Sequence, residues 1–296
     1  MGLSCIIKTL IQIILYKHDI KMPELPEVET TRLGILPHVQ GQCIRRVCIR
    51  EPRLRWAIPA DFAEQVQDCC ISDVQRRGKY LLLPCRSPRQ VGHILIHLGM
   101  SGSLRVLETY ALPQKHEHLD VHLSNGCLLR YKDPRRFGCV LWVEGDPWQH
   151  RLLADLGPEP LSADFTGAYL HERAQHKQSA VKNLIMDSHI VVGVGNIYAS
   201  ESLFLAGIHP QRAAGRIALA RYERLANAIQ QVLQAAIVQG GTTLRDFYNG
   251  AGEPGYFQQS LNVYGRTGLA CPQCQAPIRQ VTLGQRSSYY CPQCQH

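Results

Sequence analysis

The sequence predicts an α+β chain of several units: an N-terminal antiparallel β-sandwich with flanking helices, a C-terminal helical domain, and a small four-cysteine β-hairpin finger. Three observations carry this. The first half holds short runs of branched and bulky residues separated by Gly, Pro, Asn or Asp, with no long helix between them. The second half holds a stripe at three- and four-residue steps: Leu219, Tyr222, Leu225, Ala226, Ile229, Val232, Leu233, Ala236 and Ile237. The C-terminal end holds two Cys-x2-Cys pairs.

A chain of 296 residues suffices for about two domains with separate cores. Apolar residues at 45% and charged residues at 19% exclude a mainly disordered chain, a collagen and a multi-span membrane protein. The formal charge of +8 fits a polyanionic partner.

Residues 1–21 differ from the rest. Their apolar stretch is broken by Lys8 and Gln12, and is too short and polar to span a bilayer. No basic residue precedes Lys8 and no small-x-small cleavage site follows, so a signal peptide is a poor fit. A peripheral amphipathic helix is one reading. The other is a segment absent from the working protein, with Met22 as the true start.

From Pro23 the elements follow in order. PELPEVETTRLGILPHVQG opens a helix, with Pro26 at a first helical position and Glu27 and Glu29 suiting its N-terminus. Gly34 and Pro37 limit that helix or disturb its end. Strands are expected at Cys43–Ile49, Tyr80–Leu83, His93–His97, Ser103–Leu107, Leu119–Leu123, Cys127–Tyr131 and Val140–Val143. Ser124-Asn125-Gly126 reads as a hairpin connection. Asp155–Ser162 reads as a linker into a second domain. Ser179–Met186 and Ile197–Ala206 are short helices around the Gly-bearing turn Val191–Asn196. Asn196 is placed to cap the second of them, and open amides there suit a phosphate; an ordinary helical hairpin fits equally well. Gly240-Gly241 is expected to end the long helix. Tyr248–Gln259 is a loop with three glycines and a proline, placed to cover a pocket. The expected units are thus an extension at 1–22, a sandwich at 23–152, a helical domain at 153–259 and a finger at 260–296.

Arginines mark the strand ends. Arg45, Arg46, Arg50, Arg53 and Arg55 form one group, Arg76 and Arg77 with Lys79 a second, and Arg135 with Arg136 a third. Phosphate contact is the natural use of such clusters, and a solvated basic face is the plain alternative.

The twelve cysteines divide unevenly. Cys5, Cys43, Cys48, Cys69, Cys70, Cys85, Cys127 and Cys139 are scattered and read as free thiols of a reducing compartment. Cys271, Cys274, Cys291 and Cys294 form two pairs separated by 16 residues, which closes a tetrahedral site for one structural zinc. The arms Ile278–Thr282 and Ser287–Tyr290 read as strands. No P-loop, dinucleotide fingerprint or HExxH occurs.

These segments together resemble the bacterial formamidopyrimidine-DNA glycosylase family, 8-oxoguanine DNA glycosylases with AP-lyase activity, also called Fpg or MutM. The resemblance rests on PELPEVE (Pro23–Glu29), RRGKYLL (Arg76–Leu82), HLGMSG (His97–Gly102), KHEHLD (Lys115–Asp120) and DPRRFG (Asp133–Gly138). LGPEPL (Leu156–Leu161), VVGVGNIYASESLF (Val191–Phe204), GGTTLRDF (Gly240–Phe247) and the four-cysteine ribbon extend it to residues 23–296. The related endonuclease VIII type begins more like PEGPE, so Leu25 favours the purine-directed branch.

The resemblance implies a helix-two-turns-helix motif in the second domain and a set of roles. Pro23 would be an N-terminal amine nucleophile, exposed once Met22 is removed, leaving 274 residues. A terminal amine titrates near ~8, whereas an internal proline is a non-nucleophilic amide. Glu24 would be the acid/base residue, Lys79 the proton donor for β-elimination, and Arg286 the residue for δ-elimination. Met100, Arg135 and Phe137 would fill the void of an extruded base. His116, Arg136, Asn196, Lys177 and Lys182 would contact DNA, with His176 and Gln178 in a stretch more often lysine-rich in the family. The 250–259 loop would cap the flipped purine. The partner implied is damaged duplex DNA, handled by a monomer in the bacterial cytoplasm, with no nucleotide cofactor and no membrane. A pyrimidine-directed glycosylase and a DNA-binding module without chemistry stand as alternatives.

Overall fold

The computed structural model describes residues 23–243 and 261–296. The N-terminal extension and the 250–259 loop of the sequence reading lie outside the described residues.

Helix α1 (Leu25–Val39) opens the described chain and runs through Gly34 and Pro37 rather than ending at them. Nine strands follow: β1 (Ile44–Ile49), β2 (Cys70–Ile71), β3 (Gln75–Arg77), β4 (Tyr80–Arg86), β5 (Val91–His97), β6 (Ser103–Leu107), β7 (Glu117–Leu123), β8 (Leu128–Lys132) and β9 (Cys139–Glu144). They form two antiparallel sheets, β1-β7-β8-β6 and β2-β4-β5-β9, with β3 paired to β4. Inward residues such as Leu81, Leu83, Ile94 and Ile96 meet Leu119, Val121, Leu129 and Tyr131 in one core. The alternate residues Leu82 and Leu95 pack outward with Val143 and Leu153 in a second layer. Burial on both faces explains why β4 reads as an unbroken apolar run instead of an alternating one. The short helix α2 (Phe62–Val66) and strands β2 and β3 carry too little periodicity to show in sequence.

The second lobe contains α3 (Gly167–Ala174), α4 (Val181–Met186), α5 (Asn196–Leu205) and α6 (Leu219–Thr243) around one apolar core. The α6 stripe lies in it as expected, with Tyr222, Leu225, Ile229 and Leu233 fully buried. Helix α6 continues past Gly240 and Gly241 to Thr243; each glycine costs about 1 kcal/mol relative to alanine, which does not by itself stop a long helix. Leu25 at the head of α1 belongs to this second core, while Val28 and Ile35 belong to the first, so α1 joins the lobes.

Strands β10 (Arg279–Leu283) and β11 (Arg286–Tyr290) form an antiparallel hairpin. Gly284 and Gln285 both have positive φ, the geometry of a two-residue hairpin turn. Phe204 of α5 enters the small core beside Val263, Cys271, Ile278 and Cys291. The buried Glu201 carboxylate accepts the amides of Asn262, Val263 and Tyr264 at 2.8–2.9 Å, tying the ribbon's approach to α5.

One cysteine reading is corrected. Cys43 and Cys70, neighbours across an isolated β-bridge, are joined as a disulfide, whereas Cys48, Cys69, Cys85, Cys127 and Cys139 are free thiols. Residues 27 apart in sequence meet only through the pairing of these edges, which spacing does not reveal. No helix among the described residues is long and apolar enough to cross a membrane.

Candidate active site

The site is built where α1 begins. Pro23 is buried and Glu24, the residue before the helix, is 1% exposed. The Glu24 carboxylate accepts the amide of Gly195 at 2.7 Å and that of Ile197 at 2.9 Å. These are orphan amides at the start of α5, where the helix dipole favours an anion. The open amides expected to bind a phosphate are therefore occupied by Glu24. Asn196 is the first residue of α5 and Gly195 precedes it, so Asn196 is not its cap. A Cβ on Gly195 would lie 2.3 Å from Glu24 Cδ, and Gly193, at φ +83°, would bring one within 2.6 Å of Leu25. Glycine at both positions lets the second lobe close on the chain's first helix.

Glu27 works as the sequence suggested, accepting the Glu24 amide at 3.0 Å. Tyr198 donates its hydroxyl to Glu27 at 2.6 Å. Sequence reasoning missed Tyr198, because nothing in a helical run marks one tyrosine as facing a carboxylate from the first lobe.

Cations surround this carboxylate. Lys79 stands on the turn between β3 and β4, and that turn is fastened to the linker. The Gly78 amide donates to Glu159 at 2.6 Å, and Arg76 bridges Glu29 at 2.8 Å and Glu159 at 2.7 Å. Arg77 donates to the carbonyls of Leu156 and Gly157. Lys182 is 1% exposed and donates to Asn196 Oδ1 at 2.6 Å and Ser288 Oγ at 2.8 Å. Asn196 Nδ2 in turn donates to the Ser287 carbonyl at 3.0 Å, docking β11 on α5 with Arg286 at its edge.

The charges act on one another. Burial pushes the Glu24 carboxyl up to about 7, against the opposing pull of Lys79. Burial lowers the Lys79 ammonium, and Arg286 lowers it further against the pull of Glu24. Burial brings Lys182 down to about 7, with Glu24 and Arg286 acting in the same opposed senses. Glu24, Lys79, Lys182 and Arg286 thus form one electrostatic cluster, assembled from both lobes and the ribbon. His97, which the sequence reading left inside a motif, joins it: burial, then Lys79 and Arg55, hold it down at about 4.

A second group stands on neighbouring loops. The Arg135 guanidinium lies 5.0 Å over the Phe137 ring, and Phe137 is 42% exposed. Met100 is half-buried on the turn after β5. Asp133, wholly buried, joins the two loops. Its Oδ1 accepts from Ser101 Oγ at 2.9 Å and its Oδ2 from the Gly138 amide at 2.9 Å. The Asp133 carbonyl also accepts from His118 Nε2 at 2.8 Å. Asp133 is the second residue that sequence reasoning missed, since its role depends on a turn 32 residues away.

The basic clusters divide. Arg50 is clamped on Asp120, and Arg76 and Arg77 on Glu159, so these are internal braces rather than phosphate contacts. Lys182, by contrast, is enclosed: its ammonium donates to Asn196, Ser287 and Ser288. Lys177 is exposed, His116 is half-buried, and Arg136 pairs with Glu51.

The sulfurs of Cys271, Cys274, Cys291 and Cys294 all lie within 4.8 Å of one another. Tetrahedral zinc with sulfur at about 2.3 Å places its sulfurs about 3.8 Å apart. Cys271 and Cys294 are at 3.9 Å and Cys274 and Cys291 at 3.4 Å, so the donor set fits a tetrahedral thiophilic ion.

A sandwich and a helical lobe closed over a carboxylate at the head of the first helix, with a four-cysteine ribbon alongside, define a class of DNA-processing proteins. Three family models match in order: the formamidopyrimidine-DNA glycosylase N-terminal domain at 22–140, its H2TH domain at 156–248, and the zinc finger found in FPG and IleRS at 268–296. The chain is 55% identical over 274 residues to the formamidopyrimidine-DNA glycosylase of Marinobacter nauticus, covering 93% of this chain and all of that protein. It is 57% identical over 274 residues to that of Thioalkalivibrio sulfidiphilus, with the same coverage. The crystal structure of MutM (Fpg) from Thermus thermophilus superposes with a TM-score of 0.79 at 37% identity, covering 92% of this chain and 98% of that one. The Lactococcus lactis Fpg in complex with Fapy-dG-containing DNA superposes with a TM-score of 0.81 at 31% identity, covering 92% and 100%. The chain belongs to the formamidopyrimidine-DNA glycosylase family. It is a bifunctional DNA glycosylase and AP lyase acting on oxidised purines.

Proposed function

We propose that Pro23 is the nucleophile and that it acts as the first residue of the working protein. The observation that carries this is the placement of Glu24: a buried carboxyl pushed up to about 7 by burial, one residue from Pro23 and electrostatically coupled to Lys79. The match of 274 residues to the whole length of relatives, and of the family model from position 22, supports the same start.

The Pro23 secondary amine attacks the sugar C1′ of the lesion nucleotide. The C1′–base bond breaks and the base leaves with its electron pair. Glu24 donates its proton to the sugar ring oxygen, the ring opens, and loss of the amine proton gives an iminium. The iminium acidifies the C2′–H bond: the Glu24 carboxylate, having given its proton to the ring oxygen, takes the C2′ proton, the C2′–H electrons form a C2′=C3′ double bond, and the C3′–O bond breaks so that the 3′ phosphate leaves with its electron pair. Lys79 and Arg286 hold the leaving phosphates, Lys79 also passing a proton, and Arg286 supports the second elimination by charge. Met100, Arg135 and Phe137 fill the gap left by the extruded nucleotide, with Arg135 facing the orphan cytosine. His116, Arg136, Asn196 and Lys177 contact the backbone of the duplex.

Cys271, Cys274, Cys291 and Cys294 would hold one zinc, which supplies structure and no open coordination position. The protein acts as a monomer in the bacterial cytoplasm, without nucleotide cofactor.

Borohydride trapping on a duplex with 8-oxoguanine opposite cytosine tests the reading. A covalent adduct mapped to Pro23 is expected. A protein retaining residues 1–22 that traps and cleaves equally well overturns it, and strong preference for thymine glycol overturns the choice of lesion.

A further inference from the structure

Glu51 lies outside the machinery described so far, on the loop after β1. Its carboxylate serves two arginines at once. Oε1 accepts from the Arg53 amide at 3.0 Å and from Arg53 Nε at 2.8 Å, while Oε2 accepts from Arg53 Nη2 at 2.7 Å. The same Oε2 accepts from Arg136 Nη1 at 3.4 Å.

The loop lies on the face that carries Arg135 and Phe137. Trp56, close behind Glu51, bridges in parallel to Cys139, the second residue after Phe137. Arg55 acts on His97, which also feels Lys79, so this loop borders the cationic site. Arg136 adopts φ +57°, an unusual conformation for a non-glycine residue. Its side chain remains 46% exposed although paired. The hydrogen bonds from the Arg53 side chain and amide hold the Glu51 carboxyl down at about 2, so it is charged at any working pH.

We propose that Glu51 is a specificity-determining residue, an internal stand-in for a DNA phosphate that occupies Arg136 and Arg53 in the free protein. This rests on the reading of Arg136 as a phosphate contact. A carboxylate and a phosphate oxygen compete for the same guanidinium protons. Backbone phosphate contacts attract any duplex equally, damaged or not. A carboxylate that must be displaced before Arg136 engages lowers that indiscriminate term. It leaves the lesion-dependent contacts untouched. The pair is surface-exposed and weak enough to yield when the lesion is captured.

The test uses the full chain beginning at Pro23, with Glu51→Gln, Arg136→Gln and their combinations with Arg53→Gln. Glutamine keeps an acceptor for the Arg53 amide, so the loop retains its bond. Binding to an undamaged duplex and to one with a tetrahydrofuran abasic analogue is measured across a range of KCl. For Glu51→Gln the slope of log K against log salt steepens by about 0.9, one further phosphate contact. Affinity for undamaged duplex rises by at least about threefold at low salt, and the ratio of abasic to undamaged affinity falls. Adding Glu51→Gln to the Arg53→Gln/Arg136→Gln protein changes neither duplex. An unchanged or shallower slope, weaker binding, or a gain that persists without the two arginines overturns the proposal. Arg136→Gln alone tests the underlying reading: a slope unchanged by that variant removes Arg136 from the phosphate contacts whatever Glu51 does.

Discussion

The Glu24 carboxylate accepts the amide of Gly195 at 2.7 Å across a sequence separation of 171 residues. One hydrogen bond thus joins the proposed catalytic acid to the turn that begins helix α5. The same bond helps close the two lobes, because Leu25 donates its amide to the Gly193 carbonyl at 3.1 Å alongside it.

Gly195→Ala tests that closeness. The added Cβ meets the Glu24 carboxyl carbon at 2.3 Å, so the carboxylate must leave the α5 amides. The expected cost is about 1–3 kcal/mol of stability, read as a lower midpoint in urea. Borohydride trapping falls with it. A variant that melts and traps like the parent excludes a tight contact here.

The pH profile of excision follows from Glu24, held up at about 7 by burial. In the proposed mechanism the Pro23 amine must lose a proton near ~8 and Glu24 must keep one, so a bell-shaped rate is expected. Glu24→Gln removes the falling limb and lowers base excision by about 10²–10⁴. For stability the sign is fixed: the folded carboxyl binds its proton more tightly than the unfolded one near 4.5. Its contribution is present below that value and is lost as pH rises through about 7. Parent and variant melts between these values measure it, and a constant difference contradicts the assignment.

Asp133→Asn separates positioning from folding. The substitution replaces an acceptor oxygen with a donor facing either the Gly138 amide or Ser101 Oγ. Met100 and Arg135 then lose their common anchor. Excision opposite cytosine is expected to fall by about tenfold to a hundredfold relative to excision opposite adenine. General destabilisation lowers both alike, so an unaltered ratio assigns Asp133 to the scaffold alone.

Removing the proposed zinc is expected to loosen the ribbon that carries Arg286. Cys291→Ser, or chelation of the parent, should lower the melting temperature and release about one zinc per chain. Single-stroke β-elimination products should then accumulate over δ products, seen on a denaturing gel. Full δ-elimination in a zinc-free protein contradicts the role given to the ribbon.

The architecture was legible in the residues because each cue is local. Branched runs between turn residues mark β4 to β9, and the 3.6-residue stripe marks α6. The cysteine spacing marks the ribbon, and its four sulfurs do converge. What stayed hidden is non-local. Which arginines meet phosphate and which brace the protein depends on whether Asp120, Glu159 or Glu51 stands opposite. That Lys182 is enclosed, that Cys43 meets Cys70, and that Asp133 spans two turns are likewise facts of packing.

The sequence by itself determined the kinds of group at the site: a Pro-Glu pair ahead of the first helix, a lysine on a strand turn, a basic ribbon and four thiols. Their order along the chain marked the family. Only the tertiary structure decided how they act on one another. The Glu24 carboxyl is pushed up to about 7 because two lobes bury it at a helix start, and desolvation of a charge depends on everything packed around it rather than on its neighbours in sequence.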